Sequence, residues 1–181
     1  MRTIAQILTG SSVKSIEYDF KTYRKKHNSF FQNKQEELEI RYKNIQDVLT
    51  TLQKIGITHW LQGKTMLGIY KHKSLIENDS DEDVGTDIKN VEIVCLQAIP
   101  ELEKIGFQVI RATPNNSMVT IMRKNRYIDI CFFSTSGSQY YYEQKRFPKH
   151  FYEKIIYINV NNFLYPVPKL AKEICKFSYN L

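Results

Sequence analysis

Between residues 79 and 88 the chain reads Asp-Ser-Asp-Glu-Asp-Val-Gly-Thr-Asp-Ile, a concentration of carboxylates that invites a chemical reading. Side chains alternate across a strand, so acids two residues apart share a face. Asp81 and Asp83 meet that rule, and Asp79 joins them if the strand extends back. Like charges held so close repel unless a cation sits between them. Converging carboxylate oxygens suit Mg²⁺, a hard ion with octahedral demands, and phosphoryl transfer uses such sites. Two other readings compete: a solvated acidic loop and a calcium loop. The calcium loop fails on two positions, because Val84 stands where glycine is needed and Asn90 where a bidentate glutamate is needed. A third carboxylate from another strand favours the metal site over the solvated loop. Asp129 supplies one, lying between Ile128 and Ile130 in the apolar run 127–133. An acid there is costly to bury without a cation or a hydrogen-bond partner; the alternative is a strand-end acid turned to solvent.

The elements that must position these acids can be read from periodicity. Leu38, Tyr42, Ile45, Val48, Leu49, Leu52 and Ile55 recur at three- and four-residue steps, which predicts a helix with one apolar face from residue 35 to Gly56. A short strand over 57–61 contains Trp60, a short helix follows over 65–70, and a polar loop runs from 73 to 78. After the acidic stretch, a helical segment includes Leu96, Leu102 and Ile105, with Pro100 marking a start or kink and Gly106 an end. Residues 107–112, 117–123 and 127–133 read as three strands, separated by Pro114-Asn115-Asn116 and Lys124-Asn125. From 145 onward the expectation is an irregular stretch, one strand over 156–160 and a final helix from about Lys169. The whole predicts a single α+β domain over 1–181, with residues 1–34 as a basic arm or helix around the run 21–27.

The 181 residues suffice for a real core, and 42% hydrophobic with 13% aromatic content argues against disorder. The net charge of +7 favours polyanionic partners such as nucleotides, phosphorylated glycans, nucleic acid or acidic lipid headgroups. Cys95, Cys131 and Cys175 are far apart and sit in apolar stretches, which predicts buried reduced thiols rather than a zinc site. The N-terminal apolar run is too short for a signal peptide, and no stretch reaches membrane-spanning length. The expected location is therefore cytoplasmic.

One family combines these features. Thr65-Met66-Leu67-Gly68, then Lys71-His72, then Asn78-Asp79-Ser80-Asp81-Glu82-Asp83-Val84 follow one another at fixed spacing, with Asp129 later and Val167-Pro168 before a last helix. This order resembles the LicD/fukutin family over about 57–181. The resemblance implies a nucleotidyltransferase-like α+β fold, a small mixed β-sheet flanked by helices. It implies Mg²⁺ or Mn²⁺ on Asp81, Asp83 and Asp129, the last completing the metal site or acting as base. Lys64, Thr65, Gly68, Lys71 and His72 would meet donor phosphates. The implied reaction moves phosphocholine or an alditol or sugar phosphate from a CDP-type donor to a glycan or glycoconjugate. A nucleotidyltransferase using free NTP, or an inactive nucleotide-binding or scaffold member, are the alternatives. Nucleic acid is the disfavoured partner, since Tyr140, Tyr141 and Tyr142 suit packing in a hairpin better than base stacking. The chain departs from the family pattern at Lys64, where glycine is usual, with Gly63 one place early. Ser80 replaces an aspartate, Lys71 an arginine and Asn180 a glycine.

Overall fold

The computed structural model describes residues 2–12, 15–17 and 33–179. The basic run 21–27 and Asn180 lie outside the described residues. Helix α1 (Ile4–Thr9) opens with a capping box between Thr3 and Gln6. Helix α2 (Lys34–Lys54) is capped by the Asn33 side chain, which accepts from the Gln35 backbone N–H, and Glu36 and Glu37 complement its first turn. Its predicted face is its buried face: Ile45, Val48, Leu49 and Leu52 are buried, and Leu38, Tyr42 and Ile55 pack against the same core.

Five strands form the central sheet in the order β1-β2-β5-β4-β3: β1 (His59–Leu61), β2 (Asp81–Asp87), β3 (Gln108–Ala112), β4 (Met118–Arg123) and β5 (Arg126–Ser136). Neighbours are antiparallel except β2 and β5, which run parallel. A parallel pair needs a long crossover. Here it comprises α4 (Val91–Ile93), a π-type turn at Val94–Ala98, α5 (Ile99–Lys104), and strands β3 and β4. Pro100 does not stop this helix. The chain changes pitch just before it, where proline has no N–H to contribute. Leu96 and Ile105 face outward, while Leu102 is buried.

Before β2, helix α3 (Gly63–Leu67) continues as a π-type turn, Gly68–His72. Strands β6 (Gln139–Tyr142) and β7 (Lys145–Pro148) extend the far end of β5. The segment from 145 is more regular than its sequence suggests. It holds β7, then a separate hairpin of β8 (Ile155–Val160) and β9 (Phe163–Pro168), then α6 (Ala171–Tyr179). The architecture is a mixed sheet flanked by helices, an α+β fold. Among the described residues, no helix is long and apolar enough to cross a membrane. All three cysteines are free and buried.

The tyrosine run packs. Tyr140 sits edge-on to Phe133, and Tyr142 stacks on Phe133 with ring centroids 5.1 Å apart. Trp60 completes this cluster at 5.4 Å from Phe133 and lies over Gly85, where a Cβ would fall 2.2 Å from the indole nitrogen. The cluster thus closes one end of the sheet face that carries the acids at its other end.

Candidate metal centre

Alternation along β2 sends Asp81, Asp83, Gly85 and Asp87 to one face and Glu82, Val84 and Thr86 to the other. The parallel register sets Asp83 directly beside Asp129 on β5. Asp81, Asp83 and Asp129 each offer a carboxylate oxygen, and the three atoms lie within 4.8 Å of one another. On the opposite face, Glu82 receives the buried Arg41 guanidinium of α2, with Nε donating to Oε1 at 2.6 Å. Arg41 also donates to the Ile76 carbonyl at 3.0 Å. The four-acid run is therefore divided by the strand, and the centre of the run serves the fold rather than the cluster.

A polar row crosses the sheet at this level. Asp129 pairs in register with Thr120 on β4, and Thr120 with Arg111 on β3. Thr120 Oγ1 donates to Asp129 Oδ1 at 2.5 Å, which fixes that carboxylate. Under Asp83, the Cys131 thiol donates to the Tyr142 hydroxyl at 3.1 Å. The acidic run is also anchored from α3, because the Asp83 N–H donates to Thr65 Oγ1 at 2.9 Å.

Burial and mutual repulsion govern the charges. Burial raises the Asp83 pKa well above the usual carboxylate value, and the neighbouring charges of Asp81 and Asp129 raise it further. Burial pushes Asp129 up to about 6; the Thr120 hydrogen bond pulls it down and Asp81 pushes it up. Such a cluster holds protons that a divalent cation would displace. Three hard oxygens within 4.8 Å of one another, with no soft donor among the three, fit Mg²⁺ or Mn²⁺ in donor type.

A pH dependence follows. In the folded protein Asp129 titrates near 6, against 3.8 for the free group, so protons compete with a metal below about pH 6. Apparent Mg²⁺ affinity should fall as pH drops from 7 to 5, by roughly tenfold per unit once one proton must be released. The same raised pKa makes the metal-free fold less stable as pH rises from 3.8 towards 6, since the folded state binds the extra proton. Titration calorimetry at four pH values reads the first effect; a pH-independent affinity would contradict it.

The residues expected to meet phosphate are distributed differently from the acids. Lys64 Nζ lies 3.2 Å from Asp79 Oδ1. Asp79 does not extend the acid row, because β2 begins at Asp81. Thr65 is buried and occupied with the Asp83 backbone. Gly68 lets the chain turn close to the Ser74 carbonyl, 2.5 Å from where a Cβ would be. Lys71 and His72 are exposed at the end of the π-type turn, and Lys71 lines a cleft with α6. The glycine that matters here is Gly63. Its φ is +61°, and a Cβ would meet Asp83 Oδ2 at 2.4 Å. Gly63→Ala should therefore cost about 1–3 kcal/mol in backbone strain and weaken Mg²⁺ binding more than tenfold by displacing Asp83. Chemical denaturation and metal titration measure the two effects, and unchanged metal binding would show that Asp83 has room to move.

Sequence reasoning did not bring Thr120, Cys131, Tyr142 or Tyr179 to the acids; it read Cys131 as a buried thiol and Tyr142 as hairpin packing. Tyr179 ends α6 close enough to Asp83 and Asp79 that their charges help push its pKa to about 12, after burial as the main cause.

Comparison with known proteins bears on the fold and the family. Two curated relatives, uncharacterized protein RP689 of Rickettsia prowazekii (strain Madrid E) and uncharacterized protein RT0683 of Rickettsia typhi (strain ATCC VR-144 / Wilmington), are 26% and 25% identical over 132 and 131 residues. Each match covers 71% of this chain, which spans only 45% and 38% of the relatives' lengths. Among solved structures, the lincosamide antibiotic adenylyltransferase LnuA with lincomycin bound is similar at a TM-score of 0.51 and 18% identity, covering 76% of this chain and 84% of that one. The antibiotic-resistance factor ANT(2'')-Ia in solution is similar at 0.53 and 12% identity, covering 72% of this chain and 66% of that one. These two likenesses concern the fold and show it to be of the nucleotidyltransferase type. The family profile described as LicD/FKTN/FKRP, nucleotidyltransferase domain, matches residues 56–170, from before β1 to past β9. The chain belongs to the LicD/FKTN/FKRP nucleotidyltransferase-domain family.

Proposed function

We propose that this domain is a metal-dependent transferase that moves a phospho-linked group from a nucleotide-activated donor to a glycan or glycoconjugate. The transferred group is phosphocholine or an alditol or sugar phosphate, and a CDP-type donor is favoured by the family. The observation that carries the reading is the convergence of Asp81, Asp83 and Asp129 within 4.8 Å on one face of a nucleotidyltransferase-type sheet. These three residues would hold Mg²⁺ or Mn²⁺, which would neutralise charge on the donor phosphates.

The chain's own groups supply the rest. Asp129, held by Thr120, would complete the metal site or, as the alternative role, accept a proton from an acceptor hydroxyl. Gly63 and Thr65 keep α3 against Asp83, which fixes the direction of its carboxylate. Lys64 is tied to Asp79 at the edge of the cluster and can reach an incoming phosphate by exchanging partners. Lys71 and His72 would act farther out, along the exposed turn that follows α3.

A second reading, adenylyl or other nucleotidyl transfer from free NTP, is favoured by the fold neighbours, one of them an adenylyltransferase. A thermal-shift panel of CDP-choline, CDP-ribitol, CTP, UTP and ATP, each with and without Mg²⁺, separates the two. The expected result is a Mg²⁺-dependent rise of several degrees with a CDP-linked donor, because a ligand that binds only the folded state stabilises it by mass action. A rise with free NTP alone would replace the first reading by the second. No response to any nucleotide would leave an inactive scaffold domain.

A further inference from the structure

A basic-rimmed cleft lies between the turn Gly68–His72 and α6. Leu67, Tyr70 and Cys175 floor a cleft of about 300 Å³, and Lys71, Lys172 and Lys176 stand around it. Lys172 and Lys176 are one helical turn apart on α6, where like charges destabilise a helix unless an anion lies between them. Lys71 faces them from the other wall, close enough to Cys175 that its charge lowers that thiol's otherwise raised pKa. Among the described residues, none of the three lysines forms an ion pair. Positive charge at the rim and apolar surface at the floor are complementary to one kind of ligand, an anion attached to an apolar body. A free phosphate would satisfy the rim and leave the floor wet; a neutral hydrocarbon would do the reverse. The volume lies at the low end for ligand sites, enough for a phosphate and a short apolar segment.

We infer that this cleft binds an amphiphilic phosphate ester, its phosphate held by Lys71, Lys172 and Lys176 and its apolar portion on Leu67, Tyr70 and Cys175. The position relative to the carboxylates gives the ligand a role. Helix α6 begins beside the cleft and ends at Tyr179, within electrostatic range of Asp83 and Asp79. Seven helical steps lead from Lys172 to Tyr179, roughly 10 Å at 1.5 Å per step. Helix α3 likewise joins the cleft, through Leu67, to the support of Asp83, through Thr65. An occupant anchored here can extend its far end to the acid cluster, as an acceptor must. The assignment as acceptor rests on the transferase reading above; the binding itself does not.

The test uses n-hexyl phosphate, a soluble amphiphile that carries both features, with inorganic phosphate and n-hexyl glucoside as single-feature probes. Titration calorimetry of the whole chain should give saturable one-to-one binding of hexyl phosphate. Inorganic phosphate and hexyl glucoside should each bind at least tenfold more weakly. Lys172→Ala with Lys176→Ala should weaken hexyl phosphate at least tenfold with a melting temperature no lower than that of the unsubstituted chain, since both side chains are exposed and their mutual repulsion is removed. Asp83→Asn should leave hexyl phosphate binding intact while removing the Mg²⁺ response, so the cleft and the metal centre stand or fall separately. Absence of saturable binding, equal binding of inorganic phosphate, or indifference to the double substitution would overturn the inference. So would binding to anionic vesicles that hexyl phosphate does not compete, which would make this face a membrane-docking surface instead.

Discussion

On the proposed metal-dependent transferase function, replacing Asp83 with asparagine should abolish the response to Mg²⁺, lower transfer by roughly 10³-fold, the loss typical when a charge-stabilising group is removed, and make the metal-free protein more stable. The opposite signs share one cause. Asp83 sits between Asp81 and Asp129, whose charges and the surrounding burial hold its carboxyl well above the ordinary range. In the absence of a cation this arrangement is unfavourable, and it persists because β2 and β5 are locked in register on both sides. Asparagine keeps the shape and removes the charge, so the repulsion falls and the fold gains. The same change replaces one carboxylate oxygen by an amide nitrogen and removes the negative charge that a divalent ion would need. Function and stability pull against each other at such sites. Melting curves with and without Mg²⁺ read both effects on one sample. A variant that keeps the wild-type Mg²⁺ shift, or that melts lower without metal, would refute the assignment.

The cluster was legible because two rules with no knowledge of the fold applied to it. Period-two alternation paired Asp81 with Asp83, and a lone acid in an apolar run marked Asp129. Its supports were not legible. Thr120 reaches Asp129 only through the antiparallel register of β4 and β5, which depends on the turn between them. Arg111 joins that row across a register shift between Val109 and Arg111, and no periodicity reveals such a bulge. Asp79 belonged to the same acidic run, yet its backbone precedes the strand, and it pairs with Lys64 instead. The glycine motif shows the same limit. The sequence marked Lys64 as the departure, whereas steric contact with Asp83 places the requirement on Gly63.

Strand β9 was hidden for a different reason. Pro166 and Pro168 argue against a strand, because proline cannot donate to a ladder. They stand two residues apart, so both missing donors lie on the same edge. That edge can be the open one, since among the described residues β9 is hydrogen-bonded only to β8. The hairpin still matters to the core: Tyr165 and Val167 are fully buried, and Tyr165 accepts a hydrogen bond from the Gln46 amide of α2 at 3.0 Å.

Removing the Arg41 side chain should destabilise the protein by about 3–5 kcal/mol, the usual cost of breaking a buried ion pair from one side. Arg41 is 3% exposed and Glu82 is fully buried, and their 2.6 Å bond joins α2 to the back of β2. Even with Arg41 in place, burial pushes Glu82 up to about 7, with Arg41 pulling it down and Asp81 and Asp79 pushing it further up. Without the guanidinium nothing opposes burial, and the carboxyl must take a proton or the strand must move. Either outcome loosens the residue between Asp81 and Asp83, so the metal response should weaken along with the fold. The Ile76 carbonyl also loses its 3.0 Å partner. A paired replacement tests whether charge or shape is at stake. Arg41→Met combined with Glu82→Leu removes both buried charges and keeps similar volume, and such exchanges are often neutral or stabilising. Urea denaturation of Arg41→Ala, Arg41→Met and the double variant should therefore rank the double variant well above either single one. If the double variant is as unstable as Arg41→Ala, the pair acts through specific geometry at β2 rather than through compensation of a buried charge, and the separation of the two faces of β2 depends on the ion pair itself.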